Sequence, residues 1–230
     1  MCGIVGYLGK GIAQEPLIDG LRRLEYRGYD SAGVAFHDGD SFSIARETGR
    51  VENLSKSLQG EFSRSGLGIA HTRWATHGAV TVSNTHPHLS HDKKFALVHN
   101  GVIENFSSLK NFLLKEGVQF SSDTDSEVLC NLIAYHYNEL PAGDDRFIQA
   151  VSAALAKSRG AYGIAVMCID YPDMMVGARR GSPLVVGIGE DANFIASDAS
   201  AFVGRAKEAV FLKDGELAIL RGSDFRITNQ

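Results

Sequence analysis

Three amphipathic stretches lie together in the middle of this chain, at 105–116, 125–139 and 145–158, with strands clustered on both sides of them. The first carries Phe106, Leu109, Phe112 and Leu113 and is closed by Gly117. The second carries Val128, Leu129, Leu132 and Ile133, and the third Phe147, Ile148, Val151 and Leu155. Apolar residues at that spacing predict helices. A parallel sheet with crossover helices needs strands and helices in alternation, and this order does not alternate. It favours two packed sheets covered by helices.

Strands are expected at 3–8, 32–37, 42–47, 66–72 and 95–99 before the helices, and at 161–169, 174–179, 184–188, 193–196, 208–213 and 216–221 after them. Asp38-Gly39-Asp40 and Asp214-Gly215 read as hairpin turns. A helix at 13–24 buries Leu17, Ile18, Leu21 and Leu24, and a short one covers 50–58. With no internal repeat and no low-complexity linker, residues 1–230 read as one α+β domain.

The charge balance of −4 argues against nucleic acid or a membrane surface as partner. Apolar runs such as 163–169 are too short to span a bilayer. Cys2, Cys130 and Cys168 are few and far apart, which suggests neither a disulfide framework nor a zinc ribbon and points to the reducing cytoplasm. No GxGxxG, GxxxxGK[ST] or GxSxG motif is present, so no nucleotide cofactor is expected.

Long aperiodic segments within a domain are commonly functional, and 73–94 is one. It opens on Arg73-Trp74-Ala75-Thr76-His77-Gly78, directly after a strand. An arginine there can meet a carboxylate bidentately. The plainer reading has Arg73 paired with a protein carboxylate and Trp74 packed in the core. Six of the eight histidines fall between His71 and His99, which makes a metal site the obvious rival. No His-x3-His pair on a helix is present and no cysteine lies near, so hydrogen bonding to loop backbone is expected instead of metal.

His99-Asn100-Gly101 follows an apolar strand. Asn-Gly is a strong hairpin signal. It can also supply two oxyanion donors, the Asn100 amide and the Gly101 N–H. Ser122-Asp123-Thr124-Asp125-Ser126-Glu127 fits a capping box of Thr124 and Glu127 ahead of the 125–139 helix, and Asp125 there can meet an ammonium group.

The chain begins Met1-Cys2-Gly3-Ile4-Val5-Gly6. Cys is small enough for Met1 to be trimmed. Thiol and free α-amine would then sit on one residue. An α-amine titrates near pKa ~8, low enough to serve as a base at neutral pH. Nucleophile and base on one terminal residue is a known catalytic arrangement. Position alone favours Cys2 as a buried strand residue.

Taken together, Cys2-Gly3-Ile4-Val5-Gly6, LEYRGYDSAG at 24–33, HTRWATHG at 71–78, HPH at 86–88, HNG at 99–101 and SDTDSE at 122–127 resemble the class II glutamine amidotransferases in order and spacing. The match covers essentially the whole chain. Within that class the 24–33 and 71–78 forms look like the glutaminase domain of the branch that aminates fructose 6-phosphate. They look less like the phosphoribosylamine-forming or asparagine-forming branches.

The resemblance implies the N-terminal-nucleophile hydrolase fold, a four-layer α-β-β-α sandwich, acting on L-glutamine without cofactor or metal. It implies Cys2 as nucleophile with its own α-amine as base, and Asn100 and Gly101 as oxyanion hole. Arg73 would bind the α-carboxylate and Asp125 the α-amino group. Thr76 and His77 would line the pocket on a closing loop, Trp74 would lie where ammonia leaves, and Arg27 would order the N-terminal residue. In the full-length family enzyme a C-terminal sugar isomerase region receives the ammonia and makes glucosamine 6-phosphate. Nothing in this chain resembles that region. The rival readings are the glutaminase domain of an amidophosphoribosyltransferase-like enzyme, a metal-dependent hydrolase built on the 71–99 histidines, and a non-catalytic glutamine-binding domain of the same fold.

Overall fold

The computed structural model describes residues 2–58, 60, 62–74 and 79–230. Among them are thirteen strands: β1 (Gly3–Gly9), β2 (Ser31–Asp38), β3 (Ser41–Thr48), β4 (Leu67–Arg73), β5 (His88–Leu89), β6 (Phe95–Ile103), β7 (Gly160–Cys168), β8 (Met174–Arg180), β9 (Val185–Ile188), β10 (Ala192–Ala196), β11 (Glu208–Phe211), β12 (Glu216–Arg221) and β13 (Asp224–Asn229). The helices are α1 (Gln14–Leu24), α2 (Val51–Ser57), α3 (Phe106–Lys115), α4 (Asp125–Glu139) and α5 (Arg146–Lys157), with 3-10 turns at Glu25–Arg27 and Ala199–Phe202.

The strands form two sheets. One runs β11-β9-β10-β1-β4-β2-β3 and the other β13-β12-β8-β7-β6-β5. Every neighbouring pair within them is antiparallel. Successive side chains along a strand point to opposite faces, and three separate apolar clusters follow from that alternation. Ile4, Leu8 and Ile69 of the first sheet meet Ala96, Val98, Met167 and Met175 of the second. The intervening Val5 and Tyr7 turn outward to Leu17, Leu21 and Leu24 of α1 and Leu54 of α2. On the far side Phe95 and Leu97 pack under Leu129 and Ile133 of α4, Phe147 of α5 and Leu113 of α3. The layers are therefore helix, sheet, sheet, helix. Among the described residues no helix is long and apolar enough to cross a membrane.

The helices match the sequence expectation to within a residue at each end, and α4 matches at both ends. The strand expectations need correction, and they include neither β13 nor β5, a two-residue strand within the aperiodic 73–94 segment. The segments at 208–213 and 216–221 do not form a hairpin. β11 pairs with β9 in the first sheet, whereas β12 pairs with β8 and β13 in the second. The turn at Asp214-Gly215 exists, with Gly215 at φ 84°, but it carries the chain from one sheet to the other past Leu212, which is buried between them. β13 was not expected, because its side chains are mostly exposed and leave no buried alternation to read. Asn100-Gly101 is no hairpin turn either, since β6 continues through both to Ile103.

Candidate active site between the two sheets

The alternation that builds the inter-sheet core also builds the site at one end of it. His71 and Arg73 continue the face of Ile69 on β4, and Asn100 continues the face of Val98 on β6. Cys2, one step before β1, falls in phase with Ile4. His71 and Asn100 thus meet across the gap between the sheets, with His71 Nε2 2.9 Å from Asn100 Oδ1.

Cys2 is held by its backbone and its sulfur together. Its carbonyl accepts from Arg27 Nε at 3.2 Å and from Asn100 Nδ2 at 3.1 Å. The Trp74 N–H points at Sγ at 3.3 Å, and the thiol can donate to the Trp74 carbonyl at 3.7 Å. Burial raises the thiol pKa above its ordinary value, and the Trp74 N–H and the Arg73 charge partly offset this. Arg27 is itself buried, and its Nη1 donates to Asp198 Oδ2 at 3.2 Å. The Asp198 carboxylate sits below the ordinary range, first because the Ser200 N–H binds it, with Arg27 among the further causes.

The 24–33 stretch reads as a broken loop because its work is done by backbone. Thr72 Oγ1 donates to the Gly28 carbonyl, and Asp30 N–H donates to the Arg73 carbonyl at 3.1 Å. A Cβ on Gly28 would lie 2.7 Å from the Arg73 carbonyl carbon, so only glycine allows this approach. The loop is thereby locked against the end of β4, and Arg27 reaches Cys2.

A cavity of about 240 Å³ opens in front of Cys2, lined by Arg73, Trp74, Gly101 and Asp125, with Asn84, His86, His99, Val102, Glu104, Phe106, Asp123, Thr124 and Ser126. Arg73 is buried and donates through Nη1 to the Ala79 carbonyl at 3.3 Å. Trp74 is not a core residue. It is 46% exposed and stands edge-on to Tyr29 at 5.4 Å between ring centroids. Asp125 opens α4, and its Oδ2 accepts the Ile103 N–H at 2.7 Å. Cys2, Arg73, Trp74, Gly101 and Asp125 are therefore gathered around one space, with Asn100 and Arg27 behind Cys2. Thr76 and His77 lie outside the described residues, as does Met1.

The capping box is half formed. Thr124 accepts from the Glu127 N–H at 3.2 Å, but the Glu127 carboxylate turns instead to the backbone and hydroxyls of Ser121 and Ser122. The histidines bond mainly to side chains rather than to loop backbone. His71 meets Asn100, His88 meets Thr124 at 3.1 Å, and His99 meets Ser126 at 2.9 Å. Burial holds all three pKa values below the ordinary histidine range, and that of His71 falls to about 3. Among the described residues no group of three or more His, Cys, Asp or Glu is placed to hold a metal ion.

Two contributors escaped sequence reasoning. Asn84 joins the Ala79 carbonyl at 3.2 Å to the Asp123 N–H at 3.1 Å, and Asp198 backs Arg27 from 171 residues away. Asn84 sits in an aperiodic loop and Asp198 beside a short 3-10 turn, where no pattern marks a residue.

A family model described as a glutamine amidotransferase domain matches residues 40–210. The chain belongs to the glutamine amidotransferase family. It is 50% identical over 221 residues to a glutamine–fructose-6-phosphate aminotransferase (isomerizing) of Chlamydia abortus, covering 96% of this chain and 36% of the relative. It is 45% identical over 230 residues to the protein of that name from Thermotoga maritima, covering all of this chain and 37% of the relative. The chain thus spans a little over a third of the length of the curated relatives it matches. Among solved structures it is similar to the glutamine phosphoribosylpyrophosphate amidotransferase of B. subtilis solved with ADP and GMP. The TM-score is 0.81 at 27% identity, over 99% of this chain and 49% of that one. A second structure, described as the allosteric regulatory enzyme of purine biosynthesis, gives 0.83 at 27% identity, over the same shares of the two chains. The family's fold is the N-terminal-nucleophile hydrolase sandwich, and the four layers described above are that sandwich.

Proposed function

We propose that the domain hydrolyses the side-chain amide of L-glutamine to glutamate and ammonia through a thioester on Cys2. The observation that carries this reading is the placement of Cys2. Its carbonyl is pinned by Arg27 and Asn100 at the head of a cavity that also presents Arg73 and Asp125. A guanidinium and a carboxylate on one cavity suit an α-amino acid, whose carboxylate and ammonium they complement.

After removal of Met1, the Cys2 α-amine takes the thiol proton through a water molecule. Sγ then attacks the amide carbon. The carbonyl oxygen becomes an oxyanion, stabilised by a free N–H of Asn100 Nδ2 and by the Gly101 N–H. The C–N bond breaks, the α-ammonium returns its proton to the leaving nitrogen, and ammonia departs past Trp74. Water then hydrolyses the thioester, giving glutamate and restoring the thiol. A base beside the thiol suits this site, because burial disfavours the thiolate. In the full-length protein a sugar isomerase region uses the ammonia to make glucosamine 6-phosphate from fructose 6-phosphate, in the cytoplasm.

Glutamate release is the test, with the N-terminus of each sample checked by intact mass. Cys2→Ala is expected to abolish release. A homogeneous sample that retains Met1 is expected to be inactive too, and undiminished turnover by it would remove the free-amine mechanism. Labelling of Cys2 by a glutamine-like electrophile, with Cys130 and Cys168 untouched, is the accompanying expectation. Both of those thiols are fully buried, and burial raises their pKa values.

A further inference from the structure

Asn100 has two nearly isosteric orientations, because the terminal torsion of an amide is broad and roughly two-fold. Only the one with nitrogen toward Cys2 supplies a donor there. The Cys2 carbonyl has no proton, so the group facing it at 3.1 Å must be Nδ2. Oδ1 then faces the other way, into the gap between the sheets, where it meets His71 Nε2 at 2.9 Å. An amide oxygen only accepts, so Nε2 must carry the proton, and His71 is the neutral ε-tautomer. The His71 ring lies 4.2 Å from the His86 ring, tilted by 34°, and is 1% exposed. Among the described residues its Nδ1 is buried without a hydrogen-bond partner, as suits a bare lone pair in this tautomer.

We infer that His71 is the positioning residue of the amidohydrolase site: it fixes the Asn100 amide from its oxygen end, so that Nδ2 binds the Cys2 carbonyl with one N–H and offers the other to the oxyanion. The inference rests on the glutaminase reading above. It adds a residue that touches neither substrate nor nucleophile. Donation into Oδ1 also polarises the amide and strengthens both of its N–H donors. Without His71 the amide would keep one anchor instead of two, and its second N–H would wander from the point where charge develops. The effect belongs to the transition state, so it should appear in kcat and leave substrate binding through Arg73 and Asp125 alone.

The test compares the kinetics of glutamate release by the Met1-free chain with those of His71→Ala, His71→Gln, His71→Asn, Asn100→Ala and the His71→Ala/Asn100→Ala double variant. A glutamine side chain can place its amide nitrogen near the Nε2 position, whereas an asparagine nitrogen falls near Nδ1. Loss of an oxyanion donor costs about 10²–10³ in kcat, so His71→Ala is expected to lose at least ~10-fold in kcat with KM within about 3-fold. His71→Gln should recover most of that loss and His71→Asn should not. Because His71 acts through Asn100, the double variant should fall within about 2-fold of Asn100→Ala.

Full kcat in His71→Ala, equal activity of the Gln and Asn variants, or losses that multiply in the double variant would each overturn the positioning role. If His71→Ala does not fold, the Gln and Asn pair decides alone. A wild-type chain without glutaminase activity would remove the glutaminase reading and this inference with it. An active wild type beside a fully active His71→Ala would remove the inference only.

Discussion

At Gly101 the backbone takes φ 127° inside β6, a conformation that side chains rarely adopt. A Cβ there would lie 2.1 Å from the Ala161 carbonyl oxygen, on the paired strand β7. That oxygen cannot withdraw without disturbing the β6–β7 ladder, which runs from Phe95 to Ile103. Gly101→Ala is therefore expected to destabilise the fold by about 2–4 kcal/mol and to displace the N–H that follows Asn100. Urea denaturation measures the first effect and glutamate release the second. An alanine variant within about 0.5 kcal/mol of wild type would show that the strand accommodates a side chain. The same residue shows what a motif conveys alone. Asn-Gly is read first as a turn because turns are where glycine's positive φ is common. Here the positive φ serves a close approach between paired strands, and only the strand pairing reveals it.

At the scale of elements, α4 illustrates both what was legible and what was not. Its boundaries and its Thr124 cap followed from spacing. The destination of Glu127 did not. Its carboxylate is 3% exposed, with Oε1 accepting from the N–H and hydroxyl of Ser121 and Oε2 from those of Ser122, at 2.6–2.8 Å. This clamp folds the preceding loop back onto the helix and sets the first turn, where Asp125 faces the cavity. Glu127→Gln turns an NH₂ group toward two donors. It is expected to cost about 2–4 kcal/mol, because a buried charge-assisted network is left with a donor facing donors. With Asp125 displaced, KM for glutamine should rise at least ~5-fold while kcat changes less. Thermal unfolding and steady-state kinetics read the two, and an unchanged KM would separate the clamp from the site. The β11 and β12 strands mark the limit of local reading. Their own patterns were visible, but their partners depend on which sheet each joins, and no short-range signal encodes the stacking of two sheets. Asp198 is hidden for the same reason. Its role exists only because β10 lies beside β1, so that Arg27 meets a carboxylate from the far end of the chain.

For the molecule as a whole, the two sheets and the helices over them bury four histidines: His71 faces the gap between the sheets, whereas His88 and His99 meet the start of α4. His71, His86, His88 and His99 are all buried, and burial lowers every one of their pKa values. For His99 the nearby Asp125 carboxylate works in the opposite direction. In the unfolded chain these groups titrate near pKa ~6.5. The folded pKa of His71 is about 3. Between those limits the unfolded state binds protons that the folded state refuses, so the stability from these groups is complete above about pH 6.5 and is lost as the pH falls. For His71, staying neutral costs about 2 kcal/mol between pH 7 and pH 5. Urea unfolding at pH 7, 6 and 5 is therefore expected to show stability falling with pH, as the unfolded chain takes up protons that the folded histidines refuse. His71→Gln, which has no group to titrate, should reduce that slope by about one proton. A stability that stays flat from pH 7 to pH 5 would mean that water or charge reaches these histidines, and the neutral tautomer assigned to His71 would then fail along with it.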